Sequence, residues 1–357
     1  MKTQAAIVEK PGGPLRVVEA ELADPGPREV RVRVEACGIC RSDLHAIDGG
    51  EDVRFPAVLG HEAAGVVEQC GAGVESLREG DRVVLAWTPA CGRCVSCVRG
   101  EPQLCAGVRM SCGDGGPLTW QGASLDRFMA LGAFSQHVVV PETMAIAING
   151  SIPAVHACLL GCAVMTGFGA ATKTARVGCG ETVAVLGCGG VGLAAVQGAR
   201  VAGASRIVAI DPVAARRDTA MKVGATDAFS PEEASSAVAA MRDGGVDVAI
   251  ECVGRVETMA TAFEMIRPGG RAIVAGLAGL ADRLEIPAVL LLFEKSIKGS
   301  MYGSADPRLD FPMLVSLYDQ GRLDLDSLVG KTRPIAEINE GVAETRAGDT
   351  GRIVLTF

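Results

Sequence analysis

The stretch TVAVLGCGGVG, residues 182–192, decides the fold class of this chain. It begins with Thr182 to Leu186, a short aliphatic run of the kind found in buried parallel strands. The segment from Gly192 to Gly203, rich in Ala, Val and Leu, predicts a helix. The glycines between strand and helix match the pattern G-x-G-x-x-G, and the free N–H groups at the start of such a helix bind phosphate. The stretch therefore predicts a dinucleotide site at this turn.

Each glycine of this turn has its own task. Gly187 permits the tight turn, Gly189 lets the backbone approach a pyrophosphate, and Gly192 allows the helix to pack closely on the strand. Gly190 and Val191 complete the pattern. A chain with 46 glycines also produces such patterns by chance, so a purely structural turn is the alternative.

The next predicted strand, Arg206 to Ile210, is followed by an acidic residue. Asp211 lies about 20 residues after the glycines, which is the spacing of an acid that accepts hydrogen bonds from ribose hydroxyls. A carboxylate there would repel a 2′-phosphate, so we expect NAD rather than NADP. Arg216 is a further candidate contact to the cofactor. Arg216 and Arg217 could instead bind a phosphate group, which is the alternative to this preference for NAD.

Strand-like and helical segments continue to alternate after this site. Strands are predicted at Val246 to Glu251 and Arg271 to Ala275, and helices near Arg216 to Val223 and Thr258 to Ile266. The alternation runs from about residue 166 to about residue 303. It predicts an α/β fold with parallel βαβ units in a doubly wound sheet.

The residues on either side of this region have a different pattern. Val30, Val32 and Val34 alternate with polar residues, as in a strand with one buried face. Further short strands are predicted at residues 64–68, 81–85 and 134–140. After residue 303 the sequence predicts helices at 311–319 and 338–346 and a last strand at 352–357. The N-terminal part is therefore expected to be β-rich and irregular.

Composition narrows the class of protein. Hydrophobic residues make up 48% of the chain but aromatic residues only 4%, so the cores must be aliphatic, as suits parallel sheets. The net charge of −8 argues against nucleic acid or an anionic membrane as a partner. We find no stretch near the roughly 20 apolar residues of a membrane helix, and residues 1–10 do not resemble a signal peptide. We therefore expect a cytoplasmic protein.

Four of the 13 cysteines lie in one short loop, which we call the cysteine lobe: Cys91, Cys94, Cys97 and Cys105. The odd total and the close spacing do not suit a disulfide framework. Four thiolates in one loop can close a tetrahedral, structural zinc site. An iron–sulfur cluster is the alternative, because three cysteines at this spacing also occur in ferredoxin-type runs. The longer fourth spacing, with no proline after the last cysteine, favours zinc.

A second set of candidate metal ligands is scattered along the chain. A catalytic zinc needs three protein ligands and one open position. Cys40 and His61 suit this chemistry, and Cys162 is the candidate for the third ligand. Taken singly, a cysteine is more often a small buried hydrophobe. That interpretation is kept for Cys37, Cys70, Cys158, Cys179 and Cys252.

Taken in order, these motifs resemble those of the zinc-dependent medium-chain alcohol dehydrogenases. The resemblance runs along the whole chain and rests on CRSDLH (40–45), GHE (60–62), the cysteine lobe, GCAVMTG (161–167) and the glycine turn. It implies a GroES-like, β-rich catalytic domain over residues 1–162 and an NAD-binding Rossmann domain over 163–302. A C-terminal segment, 303–357, would return to the catalytic domain. The resemblance also implies a homodimer or homotetramer.

The resemblance implies two zinc ions per chain. Cys40, His61 and Cys162 would bind the catalytic zinc, and Glu62 would stand beside it as an occasional ligand. Asp43 would orient the ligand histidine. The cysteine lobe would hold the structural zinc.

It also implies a proton relay and further cofactor contacts. Ser42 would take the proton of the alcohol and pass it, through the cofactor ribose, to His45 near the surface. Four other residues would contact NAD: Arg41 and Arg352 at the pyrophosphate, and Thr166 and Val191 near the nicotinamide.

The substrate is the open question. We expect a primary or aromatic alcohol that is converted to its aldehyde. An S-(hydroxymethyl)glutathione or mycothiol dehydrogenase is the second hypothesis, because relatives that act on such adducts carry an arginine where this chain has Arg109. An exposed loop arginine is commonly just solvated. A non-catalytic dinucleotide-binding relative is the alternative of another class, although Ser42, His45 and the three zinc ligands are all retained.

Overall fold

The computed structural model describes residues 1–108, 116–241, 244–348 and 351–357. The chain divides into two compact units. The first contains Met1–Cys162 and Asp306–Phe357, and the second contains Ala163–Ala305. The expected boundary after residue 162 lies at this division, and the chain re-enters the first unit at Asp306, three residues after the expected 303.

Strands and helices alternate in the middle of the chain, and strands dominate its first part. The strands are β1 Lys2–Val8, β2 Leu15–Leu22, β3 Glu29–Gly38, β4 Ala57–Val58, β5 Glu62–Cys70, β6 Arg82–Leu85, β7 Leu118–Trp120, β8 Ala123–Ser124, β9 Asp126–Arg127, β10 His137–Pro141, β11 Ala145–Ala147, β12 Thr182–Leu186, β13 Arg206–Ile210, β14 Asp227–Phe229, β15 Val246–Glu251, β16 Ile266–Val274, β17 Ser296–Gly299, β18 Val329–Pro334 and β19 Arg352–Thr356. The helices are α1 Arg41–Ile47, α2 Val95–Val98, α3 Ala154–Leu159, α4 Met165–Gly169, α5 Gly190–Ala202, α6 Ala214–Val223, α7 Pro231–Ala239, α8 Val256–Met265, α9 Pro307–Asp319 and α10 Ile338–Ala347.

Over the described residues, the first unit contains two sheets. One has the order β8-β7-β2-β1-β4-β9, and the other has the order β11-β6-β5-β3-β19-β18, with β10 beside β3. The predicted alternation in β3 is confirmed, since Val30, Val32 and Val34 are all buried. The register of β3 matters for the site, because Gly38 pairs with Glu62 of β5 and with Val354 of β19. The C-terminal strand is therefore joined to the sheet that carries the candidate metal ligands.

The second unit is built on a parallel sheet with the order β14-β13-β12-β15-β16-β17 in the described part of the chain. The strand order reverses between β12 and β15. In such sheets, ligands bind outside the carboxyl ends of the strands at this switch point. The predicted doubly wound α/β unit is confirmed, and the glycine turn follows β12 at the expected edge.

The helical stretch Ala154–Thr174 corrects one expectation. It has 21 residues and is long and apolar enough to cross a membrane, although we had expected no stretch near that length. However, 78% of its most apolar window is buried inside the protein. The core helix of a soluble protein passes the same test, and this burial is the reason for interpreting the stretch as a core helix.

Candidate active site

Asp43 ties together the two segments that carry the first two candidate ligands. It is fully buried and is the third residue of α1, the helix that begins directly after Cys40. Its Oδ2 accepts the backbone N–H of Cys40 at 2.8 Å, and its Oδ1 accepts the backbone N–H of Gly60 at 3.0 Å. One carboxyl group therefore fixes the start of α1 against the residue that precedes His61.

The ring of His61 is held on two sides. Its Nδ1 lies 3.2 Å from Asp43 Oδ1, and its edge packs against the ring of Phe128 with centroids 5.6 Å apart and planes at 84°. Its Nε2 is buried and has no hydrogen-bond partner among the described residues. A buried nitrogen of this kind needs a partner, and a histidine that binds a metal ion usually faces a carboxylate with its other ring nitrogen, as His61 does here.

Four side chains converge in what we call the Cys–His cluster: Cys40, His61, Glu62 and Cys162. Their ligand atoms all lie within 4.8 Å of one another. Two thiols and an imidazole are a donor set that suits zinc, with the fourth position left for another ligand. The hydrogen bond from Cys162, with help from the charge of Arg352, holds the pKa of Cys40 well below its usual range. The cluster therefore favours a thiolate at Cys40, the form that binds metal.

Arg352 lies beside Glu62. Its Nη2 is 3.1 Å from Glu62 Oε1, and its Nη1 donates to the carbonyl of Ile39 at 3.2 Å. Burial raises the pKa of Glu62 to about 7, although the charge of Arg352 acts in the opposite direction. The pairing of β19 with β3 brings Arg352 to the Cys–His cluster, and its contact with the pyrophosphate stays a prediction. A side chain at Gly38 would collide with the Glu62 carboxyl, which would then have to move.

The two proposed relay residues lie on α1. Ser42 is partly exposed, and its Oγ is 3.6 Å from Cys40 Sγ. His45, one helical turn later on the same face, is also partly exposed. Arg41, at the start of the helix, is exposed. Helix α1 thus carries the hydroxyl beside the cluster and the imidazole towards solvent.

The cysteine lobe forms a second compact group of sulfur atoms. All four Sγ atoms lie within 4.8 Å of one another, and Cys94 Sγ is 4.0 Å from Cys105 Sγ. Two thiolates bound to one tetrahedral zinc would be about 3.8 Å apart, so the lobe fits this ion. Backbone N–H groups of Ala106 and Gly107 donate to these sulfurs at 3.5 and 3.3 Å. The N–H groups of Ala106 and Cys97 lower the pKa of Cys94 to about 6.

The glycine turn after β12 has the geometry that a dinucleotide requires. Gly187 has a φ of 88°, a value that favours glycine. A side chain at Gly192 would collide with the Gly187 carbonyl, whereas one at Gly189 would meet nothing within 4 Å. The space where a Gly189 side chain would stand is therefore open to a ligand. Helix α5 begins at Gly190, and the free N–H groups of its first turn face this space.

Asp211 lies close beside this turn. Its carboxyl is 2% exposed, with Oδ2 accepting the N–H of Cys188 at 2.8 Å and Oδ1 accepting the N–H of Val213 at 2.9 Å. Each carboxylate oxygen has a second acceptor position, so the fixed group can still bind ribose hydroxyls. Arg216 pairs with Asp211 at 3.6 Å, and Arg217 donates to the backbone carbonyl of Asp211 at 2.7 Å. In this arrangement both arginines contact Asp211.

The remaining predicted cofactor residues, Thr166 and Val191, lie on neighbouring helices. Thr166 is buried in α4, and Val191 is in the first turn of α5. A side chain at Gly167 would collide with the carbonyl of Val191, so the two helices touch backbone to backbone. Arg109 lies outside the described residues.

Sequence reasoning missed Phe128, which is fully buried against His61. It also missed the pairing of Arg352 with Glu62. A buried aromatic residue beside a ligand histidine has no spacing signal, because the two residues meet only through the tertiary fold. Both contacts depend on the pairing of distant segments.

Comparison with known proteins identifies the family of the chain. A profile described as "Alcohol dehydrogenase GroES-like domain" matches residues 26–150, and one described as "Zinc-binding dehydrogenase" matches residues 190–320. The NDMA-dependent alcohol dehydrogenase of Amycolatopsis methanolica is 39% identical over 99% of each chain. The solved benzyl alcohol dehydrogenase of Acinetobacter calcoaceticus has a TM-score of 0.94 at 31% identity, covering 100% of this chain and 99% of that one.

A third solved structure is that of a short chain alcohol dehydrogenase of E. coli CFT073, complexed with NADH. It has a TM-score of 0.83 at 25% identity, and the alignment covers 100% of this chain and 99% of that chain. The chain therefore belongs to the zinc-dependent medium-chain dehydrogenase family, with a GroES-like domain and a doubly wound domain. It is an oxidoreductase that acts on alcohols. The alternative of a non-catalytic relative is set aside.

Proposed function

We propose that this alcohol dehydrogenase depends on zinc and NAD and moves a hydride reversibly between a primary or aromatic alcohol and NAD. The Cys–His cluster carries the proposal, since Cys40, His61 and Cys162 could supply three zinc ligands and leave a fourth position for substrate. A benzyl alcohol dehydrogenase among the structural relatives supports the substrate class. The product would be the aldehyde.

When bound, zinc would supply a Lewis acid at the alcohol or carbonyl oxygen, and NAD would supply the hydride acceptor. The chain's own residues would do the rest. Ser42 would take the hydroxyl proton of the alcohol. Its Oγ lies 3.6 Å from Sγ of the proposed ligand Cys40, and so beside the position where the alcohol would bind. His45 would receive that proton near the surface. Arg352 would keep Glu62 engaged, so that the fourth position stays open for substrate.

The second zinc would belong to the cysteine lobe, where four sulfurs leave no open position. Its role would be to fold the lobe. We thus propose two zinc ions per chain.

Turnover tests the proposal most directly. The purified enzyme would be given NAD with ethanol, hexanol or benzyl alcohol, or with formaldehyde premixed with glutathione or mycothiol, and NADH absorbance would be followed. We expect NADH formation with the simple alcohols, and zinc assayed on the same sample at about two ions per chain. Turnover with the thiol adducts alone would contradict the alcohol class and would make Arg109 the first residue to mutate.

The cofactor preference rests on Asp211. Replacing it with alanine removes the acceptor for the ribose hydroxyls and the charge that opposes a 2′-phosphate. We expect KM for NAD to rise by about tenfold while KM for NADP falls or is unchanged. Asp218→Ala, an exposed carboxylate on α6, is the matched control and should leave both values unchanged. Unchanged discrimination in Asp211→Ala would show that the ribose is recognised elsewhere.

We also propose that the enzyme is a cytoplasmic homodimer or homotetramer, with small alcohols and aldehydes as its only partners. An exposed apolar segment in the second unit supports self-association. Leu280 is 89% exposed and Leu292 is 82% exposed, with Val289 and Phe293 close to them in sequence. Exposed apolar patches of this kind mark interaction sites. Light scattering after size-exclusion chromatography tests the proposal, and a monomer would contradict it.

A further inference from the structure

Glu251 is a buried carboxyl group that has no place in the proposed chemistry. It is the last residue of β15, beside the switch point of the parallel sheet, and it is 0% exposed. Its Oε1 accepts three hydrogen bonds at 2.8 Å, from the backbone N–H groups of Val253 and Gly254 and from the hydroxyl of Thr258. Its Oε2 has no hydrogen-bond partner among the described residues. An unsatisfied buried oxygen costs free energy, so a group that keeps one calls for an explanation.

The turn that Glu251 holds lies against the glycine turn. The N–H of Cys252 donates to the carbonyl of Leu186 at 2.8 Å, so this turn continues the pairing of β15 with β12. A side chain at Gly187 would meet Val253 Cγ2 at 2.7 Å, which means that Val253 packs directly on the first glycine of the fingerprint. The position of Gly187 therefore depends on the turn at residues 252–254.

A second turn at the same edge is bonded to the backbone of Glu251. The N–H groups of Ala275 and Gly276 donate to the Glu251 carbonyl at 2.8 and 3.0 Å. A side chain at Gly276 would meet Glu251 Oε2 at 2.7 Å and would collide with Gly254. The turns at residues 252–254 and 275–277 are thus packed backbone to backbone, with the Glu251 carboxyl beneath them. Both follow strands at the carboxyl edge, where a dinucleotide binds.

We propose that the Glu251 side chain is a positioning group for the dinucleotide: it holds the turn at residues 252–254, which packs on the turn at 275–277 and, through Val253, on the glycine turn, in the form that binds NAD. The inference rests on the proposed use of NAD. Binding sites gain affinity when their segments are fixed before the ligand arrives, because less ordering remains to be done. Thr258 extends the same contact into α8, so one oxygen holds this helix and the turn at residues 252–254.

Asp247 provides a matched control at the opposite end of the same strand. Its Oδ2 accepts the backbone N–H and the hydroxyl of Thr182, both at 2.7 Å, and its Oδ1 pairs with Arg267 at 2.7 Å. Like Glu251, it accepts a backbone N–H and a threonine hydroxyl, but it does so at the amino edge of the sheet and also pairs with an arginine. Loss of either carboxyl is expected to lower the melting temperature, whereas only loss of Glu251 should weaken the dinucleotide site.

The test measures NADH affinity by NADH fluorescence, with melting temperature and zinc content on the same samples. We expect Glu251→Ala to weaken NADH binding by about tenfold or more, with KM for NAD rising more than kcat falls. Glu251→Gln should stay within about threefold of wild type, because its amide oxygen can accept the same three bonds. Asp247→Ala should stay within about twofold.

Either of two results would overturn the inference alone: unchanged NADH affinity in Glu251→Ala, or an equal loss in Asp247→Ala. If Glu251→Ala fails to fold, Thr258→Val removes one of the three donors and should weaken binding by about threefold. An unchanged affinity in that variant would then overturn the inference. A wild-type protein that does not bind NADH would overturn the proposed cofactor and the inference together.

Discussion

The cysteine lobe and the Cys–His cluster each bring their ligand atoms within 4.8 Å of one another, but the chain builds them in different ways. The lobe takes its sulfurs from one loop, Cys91 to Cys105, and backbone N–H groups of that loop donate to them. The cluster takes its ligands from residues as distant as Cys40 and Cys162, and the buried carboxyl of Asp43 fixes two of its segments. A closed site can fold around its own ion. A site whose ligands come from distant segments needs the surrounding fold to bring them together.

This difference predicts separate consequences for losing each site. The cluster should be required for chemistry and dispensable for the fold, and the lobe should behave in the opposite way. Three substitutions test this difference between the two sites.

The largest effect is expected for Cys162→Ala. With one of three ligands removed, turnover should fall to below about 1% of wild type, while the lobe keeps its zinc and the melting temperature changes little. Zinc content and NADH formation measured together check this. Cys158→Ala removes a buried cysteine four residues earlier on α3 and should keep both zincs and turnover. Normal turnover in Cys162→Ala would remove this residue from the ligand set.

A smaller effect on turnover, but a larger one on stability, is expected for Cys94→Ser. The lobe should lose its ion, and the free energy of unfolding should fall by about 4 to 5 kcal/mol, because structural metal binding is coupled to folding. Denaturant unfolding with zinc analysis measures both quantities. Cys179→Ser, at an exposed cysteine, should change neither. A protein that keeps two zincs and full stability after Cys94→Ser would contradict the structural role of the cysteine lobe.

The smallest effect is expected for Asp43→Asn. The amide keeps the shape of the side chain but removes the charge beside His61 Nδ1, so zinc at the cluster should bind about 10- to 100-fold more weakly. Competition with a chromogenic chelator measures this affinity. Asp48→Asn, just after the same helix, breaks only an exposed pair with Arg346 and serves as the control. Equal affinity in Asp43→Asn and wild type would show that Asp43 does not tune the metal.

The same contrast explains how much the sequence could predict. The glycine turn and the lobe were visible because each is a short pattern whose spacing carries its chemistry. The three cluster ligands were first proposed from their residue types, and the family resemblance supported them. Their meeting has no local signal, because it depends on pairings of distant segments such as Gly38 with Glu62. The pairing of Arg352 with Glu62 could not be predicted for a related reason: β19 lies beside β3, and nothing near residue 352 indicates that arrangement.

Other elements were missed because their signals are weak or mixed. The edge strand β17 has only four residues, Ser296–Gly299, and no alternation. The helical stretch Ala154–Thr174 contains π-helical turns at Leu160–Val164 and Ala170–Thr174, so its apolar residues do not follow a regular helical period. Length and burial, which only the structure shows, identify it as a core helix.

X-ray absorption at the zinc edge of the wild-type enzyme tests the central claim, that one chain holds two zinc sites of different kinds. The lobe offers four sulfurs and the cluster offers two sulfurs and a histidine nitrogen. We predict two zincs per chain, with an average of about three sulfurs at about 2.3 Å and one lighter ligand at about 2.0 to 2.1 Å. A single zinc per chain with four sulfurs and no nitrogen or oxygen neighbour would contradict the account, because the Cys–His cluster would then not be a metal site.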